Sequence, residues 1–162
     1  KDRLIPDIIR SFSRKESVVI RNPAAIRPWQ NVLDLLHGYL ILAQNLTNQP
    51  AGYSEAWNFG PAERDEQSVE FIVNHMIQSW GDGPSWKQGE GYNPHEAGYL
   101  KLDSSKSRMR LGWSTGIGLP KTLDSLTTWY RSYYEEADMT ELTKSQIREF
   151  EELISKSEKN RI

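Results

Sequence analysis

The chain of 162 residues has no cysteine. Disulfides and thiolate metal sites are therefore excluded, and the composition fits a reducing cytoplasm, the expected compartment. No apolar run approaches the roughly 20 residues that a membrane-spanning helix needs, and no amino-terminal h-region suggests secretion. An excess of one charge is also missing. The 20 Lys and Arg nearly balance the 22 Asp and Glu, for a net charge of −2, which argues against a nucleic-acid coat or a polybasic membrane patch. The chain opens on Lys1 rather than Met, as an excised piece or a trimmed start would.

Several catalytic signatures are missing as well. No glycine triplet has the G-x-G-x-x-G or G-x-x-G-x-x-G spacing, so nothing local marks a loop whose backbone could approach a pyrophosphate. No Tyr is followed four residues later by Lys, a spacing that puts both on one helix face and lets the Lys lower the phenol pKa for proton transfer. His37, His75 and His95 lack metal-ligand spacing, and each reads as a surface or hydrogen-bonded structural residue unless distant segments share a site. No Ser has a nucleophile-elbow context.

What is abundant is Trp and Tyr, 6 and 7 residues. These side chains bury large areas and keep a polar handle, which suits a core and equally a site that stacks a base or sugar. Leu4, Ile5, Ile8, Ile9 and Phe12 have helical spacing, with Pro6 in the first turn where Pro is tolerated. Val18–Ile20 reads as a short strand ended by Asn22-Pro23. After Pro28, Val32, Leu36, Tyr39, Leu40, Ala43 and Leu46 form an apolar stripe along a helix. Trp57-Asn58-Phe59 is expected to be a strand, stopped by Gly60-Pro61. Val69 to Trp80 reads as a helix ended by Gly81, residues 81–91 as a loop, and Tyr99 to Leu102 as a strand. Ser104 or Ser105 can cap a short helix that stops at Gly112. Leu123 to Tyr133 gives a further helix, and the capping-box spacing of Thr143 and Gln146 precedes a last, charged surface helix. About six helices and three or four short strands result, too little strand for a self-sufficient sheet.

The segment Arg21-Asn22-Pro23-Ala24-Ala25-Ile26-Arg27-Pro28-Trp29-Gln30 is the most informative. A strand ends, and two Arg residues follow within one loop that leads into a helix. Guanidinium forks suit phosphates because they donate two parallel hydrogen bonds, and a helix start adds unpaired N–H groups and a positive dipole end. A phosphate here is physically reasonable; two surface ion pairs are the other reading.

With Asp2-Arg3-Leu4-Ile5-Pro6-Asp7, Ile20 through Gln30, Ala56-Trp57-Asn58-Phe59-Gly60-Pro61, His95-Glu96-Ala97, Leu102-Asp103, Ser105-Lys106, Leu111-Gly112-Trp113 and Thr128-Trp129-Tyr130 in this order, the chain resembles the second half of CDP-glucose 4,6-dehydratases. These are members of the extended short-chain dehydrogenase/reductase superfamily. The resemblance runs from about Asp2 to Tyr134; Arg-Pro-Trp-Gln and Trp-Asn-Phe-Gly-Pro are its most specific parts, and Leu-Gly-Trp is shared widely. The implied class is α/β, a mixed α+β piece when taken alone: the carboxy-terminal part of such an enzyme, with the Rossmann-type amino-terminal half absent. Residues 1–135 would form the nucleotide-sugar-binding region and 136–162 a charged carboxy-terminal helix.

The resemblance implies an NAD-dependent conversion of CDP-glucose to CDP-4-keto-6-deoxyglucose, a precursor of dideoxy sugars in bacterial surface polysaccharide such as O-antigen. The family's Gly-rich loop, its Tyr and Lys, and its acid/base carboxylate lie upstream of the matched region, so the chain alone is expected to be inactive and to bind no NAD. It also implies a nucleotide-sugar site. Arg27 matches the arginine that holds the diphosphate. Arg21 shares its loop. Arg3 lies in the segment that folds over the nucleotide, where Leu4, Ile5 and Pro6 would wall the base. His95 and Glu96 match a loop near the ribose and diphosphate, with Glu96 suited to a ribose hydroxyl or the cytosine amino group or else a solvated loop carboxylate. Asn31 stands where many members have His and bears on fine substrate preference; Ser114-Thr115 replaces a common Pro in a connector. No catalytic or metal residue is expected. Expected partners are a CDP-sugar, the missing half and further copies in a homo-oligomer, with neither nucleic acid nor membrane. Two other readings stay open: another nucleotide-sugar epimerase, reductase or dehydratase, and a free-standing non-enzymatic binding module.

Overall fold

The computed structural model describes residues 3–89 and 97–159. Its first element, helix α1 (Leu4–Ser13), turns Ile8, Ile9 and Phe12 inward, as the spacing requires. Strand β1 (Val18–Ile20) follows and buries Val18 and Ile20 on one face. Then come β2 (Ile26–Pro28), α2 (Val32–Asn48), the one-turn α3 (Pro50–Tyr53), a 3₁₀ turn (Glu63–Asp65), β3 (Glu66–Ser68) and α4 (Val69–Trp80). The chain continues with β4 (Trp86–Gln88), α5 (Ser105–Leu111), α6 (Leu119–Tyr134) and α7 (Met139–Lys159).

The strands form two small pairs. β1 and β4 are parallel with Val18 opposite Trp86, and β2 and β3 are antiparallel with Arg27 opposite Gln67. The main core lies between them and the helices: Ile8, Ile9 and Phe12, Val18 and Ile20, Ile72, Val73, Met76 and Trp80, and Leu119 and Leu123. α4 packs along α6, and α7 along α6. The helix ends follow their local chemistry. Ser68 Oγ accepts the Phe71 N–H, Gly81 follows α4 at φ +74°, and left-handed Gly112 ends α5.

Several sequence expectations need correction. Residues 57–59 are not a strand, and of residues 99–102 only Tyr99 makes a bridge, to Ile26. Both segments are bonded by side chains and single bridges rather than by a continuous ladder. β4 forms inside the expected loop, because pairing with β1 overrides its Gly- and Pro-rich flanks. α7 starts earlier than its capping-box signal: Asp138 Oδ1 accepts the N–H groups of Thr140 and Glu141. Thr143 Oγ1 instead accepts the Trp129 indole N–H, and Gln146 Nε2 donates to Ser125 O. Ser104 does not cap α5. Its hydroxyl accepts the Gly60 N–H, while Asp103 Oδ1 accepts that of Ser105.

The largest surprise is the orientation of α2. Its apolar stripe stays outside: Val32, Leu36, Tyr39 and Leu40 are 63%, 48%, 52% and 70% exposed. The helix turns Asp34 and Gly38 inward. Phe59 is buried against Trp113, their rings 5.1 Å apart edge to face. Trp113 donates its indole N–H to Asp34 O at 3.0 Å. The Asp34 carboxylate takes the N–H of Gly116 at 2.6 Å and of Ile117 at 3.5 Å. Burial raises its pKa, against these two backbone donors that lower it.

Gly38 lies where a Cβ would come within 2.5 Å of Phe59 Cδ1 and 3.0 Å of Trp113 Nε1. Overpacking a core costs about 1–3 kcal/mol, which outweighs the roughly 1 kcal/mol that Ala gains over Gly inside a helix. Gly38→Ala should therefore lower the urea midpoint, and an unchanged or higher midpoint would refute this packing. For Asp34 the folded pKa lies above the ordinary 3.8, so the folded state binds the proton more tightly. The resulting stability is complete below the unfolded value and lost as pH rises through the folded one. Urea unfolding across that window should show the wild type losing stability relative to Asp34→Asn as pH increases; the opposite slope would contradict the burial.

Candidate functional site

The loop after β1 is fixed from below by the start of α4. Val69 N–H donates to Ala25 O, and Glu70 N–H to Pro23 O. Ile26 is clamped from the other side, its N–H on Gly98 O and its carbonyl taking the Leu100 N–H. Arg27 is thus a strand residue, half-buried on β2, rather than a loop residue as the sequence suggested. Its Nη1 donates to Ile26 O at 2.8 Å. Two residues on, Trp29 Nε1 donates to Gln67 O at 2.8 Å, tying the strand's exit to β3.

The start of α2 is less open to a phosphate than the sequence implied. Asn31 Oδ1 caps it by accepting the Leu33 N–H at 2.9 Å, and Asn31 Nδ2 reaches Thr122 Oγ1 at 3.4 Å. The Asn31 side chain therefore serves as a helix cap.

Leu4 and Arg21 come together. They line a hollow of about 140 Å³ with Asp7, Val18, Val19, Ile20, Asn22, Ala25 and Val69. Arg3 is exposed at the start of α1, whereas Ile5 and Pro6 are half-buried, Ile5 against the core. Arg27 does not line this hollow. The volume is below the roughly 300 Å³ at which ligand pockets begin, so it can hold part of a nucleotide at most. His95 and Glu96 lie outside the described residues.

Sequence reasoning missed an ion pair beside Arg27. Glu66, opposite Pro28 across the β2–β3 pair, meets Lys101 with Nζ and Oε2 2.6 Å apart. The hydrogen bond to Glu66 raises the Lys101 pKa, keeping the ammonium charged. The Lys101 ammonium also lies 5.0 Å from the Tyr99 ring centroid. Nothing local in the sequence joins Glu66 to Lys101; the Tyr99–Ile26 bridge brings their segments together.

A second cluster looks catalytic and is not arranged for nucleophilic attack. Asp124 takes both His75 Nε2 at 2.8 Å and Ser79 Oγ at 2.5 Å. The hydroxyl addresses the carboxylate, a weak base at its lowered pKa, and not the imidazole. The trio ties α4 to α6, and the Ser79 bond, then the His75 bond, hold the Asp124 pKa down. Among the described residues no group of three or more His, Cys, Asp or Glu could hold a metal, and no helix is long and apolar enough to cross a membrane.

The comparisons with known proteins join this geometry to a family. No protein-family model matches the chain. A curated relative, the CDP-glucose 4,6-dehydratase of Salmonella typhimurium, is 49% identical over 150 residues, 93% of this chain. The chain is homologous to the carboxy-terminal part of a CDP-glucose 4,6-dehydratase. It spans 42% of that relative's length. Solved structures share the fold at lower identity. The UDP-glucuronic acid 4-epimerase of Bacillus cereus, solved with UDP-glucuronic acid and NAD, has a TM-score of 0.69 and 18% identity over 82% of this chain and 41% of its own. The UDP-glucose 4-epimerase of Thermotoga maritima, solved with UDP-glucose, reaches 0.59 and 18% over 78% and 38%. The fold is that of the corresponding part of short-chain dehydrogenase/reductase-type nucleotide-sugar epimerases.

Proposed function

We propose that this chain is the substrate-binding portion of a CDP-glucose 4,6-dehydratase and is inactive by itself. The observation that carries the proposal is the 49% identity along nearly the whole chain. The clamped position of β2 supports it, since the bonds of Ile26 to Gly98 and Leu100 hold the strand that carries Arg27 in place. Arg27 would hold the diphosphate, with Arg21 near it. Arg3, Leu4, Ile5 and Pro6 would close over the base, and His95 and Glu96 would complete the ribose side. Residues 1–135 would form this binding region and 136–162 a charged carboxy-terminal helix. The reaction would belong to sugar supply for surface polysaccharide in the cytoplasm, by a homo-oligomer.

NAD, which supplies oxidation and reduction in such an enzyme, would belong to an amino-terminal half. This chain offers it no fit: the Gly116-Ile117-Gly118 turn before α6 has Lys121 where the spacing calls for a third glycine and spends the Gly116 N–H on Asp34, and no Tyr has a Lys four residues on. Its own residues would bind and orient the CDP-sugar and help shut out water.

Two measurements test the proposal. Calorimetric titration of the chain alone with NAD should show no binding, and saturation in the micromolar range would count decisively against the division of labour. With the amino-terminal part of the Salmonella enzyme added, CDP-glucose should bind, and Arg27→Ala should weaken it by up to about 5 kcal/mol, the range for truncating one partner of a buried charge pair. Arg27→Lys should restore only part, because the bidentate fork is lost. Equal affinities in all three proteins would remove Arg27 from the site.

A further inference from the structure

Strand β2 is short for the task of holding Arg27. In a parallel ladder the next donor after Ile26 is Pro28, which has no N–H to give. The pairing of β2 with residues 98–100 is accordingly a single bridge, Ile26 to Tyr99. Past Pro28 the chain turns back: the Trp29 N–H donates to Arg27 O at 3.1 Å instead of extending the strand. What remains towards β3 is the stretch of three residues in which Arg27 lies opposite Gln67, and so short a pair is marginal by itself.

Trp29 makes up the shortfall from its side chain. Its indole N–H donates to Gln67 O at 2.8 Å, so this one residue bonds both members of the pair, Arg27 through its backbone and Gln67 through its ring. The ring also packs against the main core. Tryptophan suits the position because its indole carries a donor on a large, rigid, apolar body. The place of Arg27 is thereby referred to the core rather than to the strand alone. That reference reaches the guanidinium. A long side chain with several rotatable bonds can absorb small backbone shifts, but this one is tethered. Arg27 Nη1 donates to Ile26 O at 2.8 Å, the same carbonyl that takes the Leu100 N–H at 3.2 Å. A slip of β2 against β3 therefore carries the fork with it, and bidentate recognition of phosphate depends on where the fork stands.

We propose that Trp29 is the positioning residue for the diphosphate-binding arginine: by bonding Arg27 O and Gln67 O together and anchoring both to the core, it sets where the Arg27 fork stands. Trp29 needs no contact with the ligand, because it acts through Arg27. The inference rests on the proposed role of Arg27.

Calorimetric titration with CDP-glucose tests this on a full-length chimera, in which this chain replaces the matching carboxy-terminal part of the Salmonella enzyme. Trp29→Phe keeps a ring against the core and removes the N–H. Benzothienylalanine, the sulfur isostere of tryptophan, does the same at constant volume if Phe perturbs folding. Either change should weaken binding about three- to tenfold, the range for one neutral hydrogen bond. In an Arg27→Lys background, where the fork is gone, the same change should leave the affinity as it is, the coupling that a double-mutant cycle reads. A loss of equal size in both backgrounds makes Trp29 a support for the fold alone and overturns the proposal. Full affinity in the Trp29 variants while Arg27→Ala binds weakly also overturns it and leaves the proposed function standing. Wild-type affinity in Arg27→Ala sinks the proposed function, and this inference with it.

Discussion

The first turn of α2 is where the molecule is tied together. One residue there, Asp34, is fully buried and uses both its backbone carbonyl and its carboxylate on the connector between α5 and α6. Trp113 is oriented by the carbonyl, and Gly116 and Ile117 by the carboxylate. Asp65, buried on the 3₁₀ turn, continues the pattern by accepting the Leu119 N–H at the start of α6. A buried carboxylate is costly unless its lone pairs are met by donors, and here the donors are backbone N–H groups that would otherwise be orphaned. The trade fixes where α6 begins. α6 in turn carries Leu119 and Leu123 into the main core, and α7 packs on α6. Gly116 is hemmed in on its other side, since a Cβ there would come within 2.6 Å of Ile154 Cδ1 on α7. The connector therefore joins four elements at one point.

Against that frame, the legible parts of the sequence are those whose causes are local. α1, α4 and the end of α5 follow from apolar spacing, a capping Ser and a left-handed Gly, all within one or two turns. β1 was visible because Val18-Val19-Ile20 is β-branched throughout. Strands β2, β3 and β4 have three residues each, and sequences such as Glu-Gln-Ser and Trp-Lys-Gln carry no alternation to read. They exist because a partner far along the chain presents an edge. The stripe on α2 was read correctly as apolar, but periodicity reports only that a face is apolar, not which layer covers it. Gly38 shows which side faces inward, and its meaning emerges only once Phe59 and Trp113 are placed against it.

The candidate site divides in the same way. Arg21, Arg27 and the start of α1 stood out because two guanidinium groups near a helix start suggest an anion, and because their surroundings resemble a family. Their roles were named by resemblance rather than by chemistry alone. The Glu66–Lys101 pair left no trace in the sequence, since the opposite charges two residues away, Arg64 and Asp103, are not the partners the two residues take. It sits one strand from Arg27, so the charge near the proposed diphosphate position is set by more than the arginines. Asn31 shows a position read for substrate preference whose side chain works as a helix cap.

The parallel pairing of β1 with β4 has a consequence for how the chain comes to be folded. Val18 and Trp86 are partners across most of the first half of the molecule, and the core they cover is closed by Leu119 and Leu123 on α6. Local helices can form within microseconds, but contacts between distant segments must first overcome the entropy of closing the intervening loop. During synthesis, Ile8, Ile9 and Phe12 emerge long before α6 and remain without their full cover until it has left the ribosome. Among the core segments of residues 3–159, the apolar face of α1 thus waits longest for its cover.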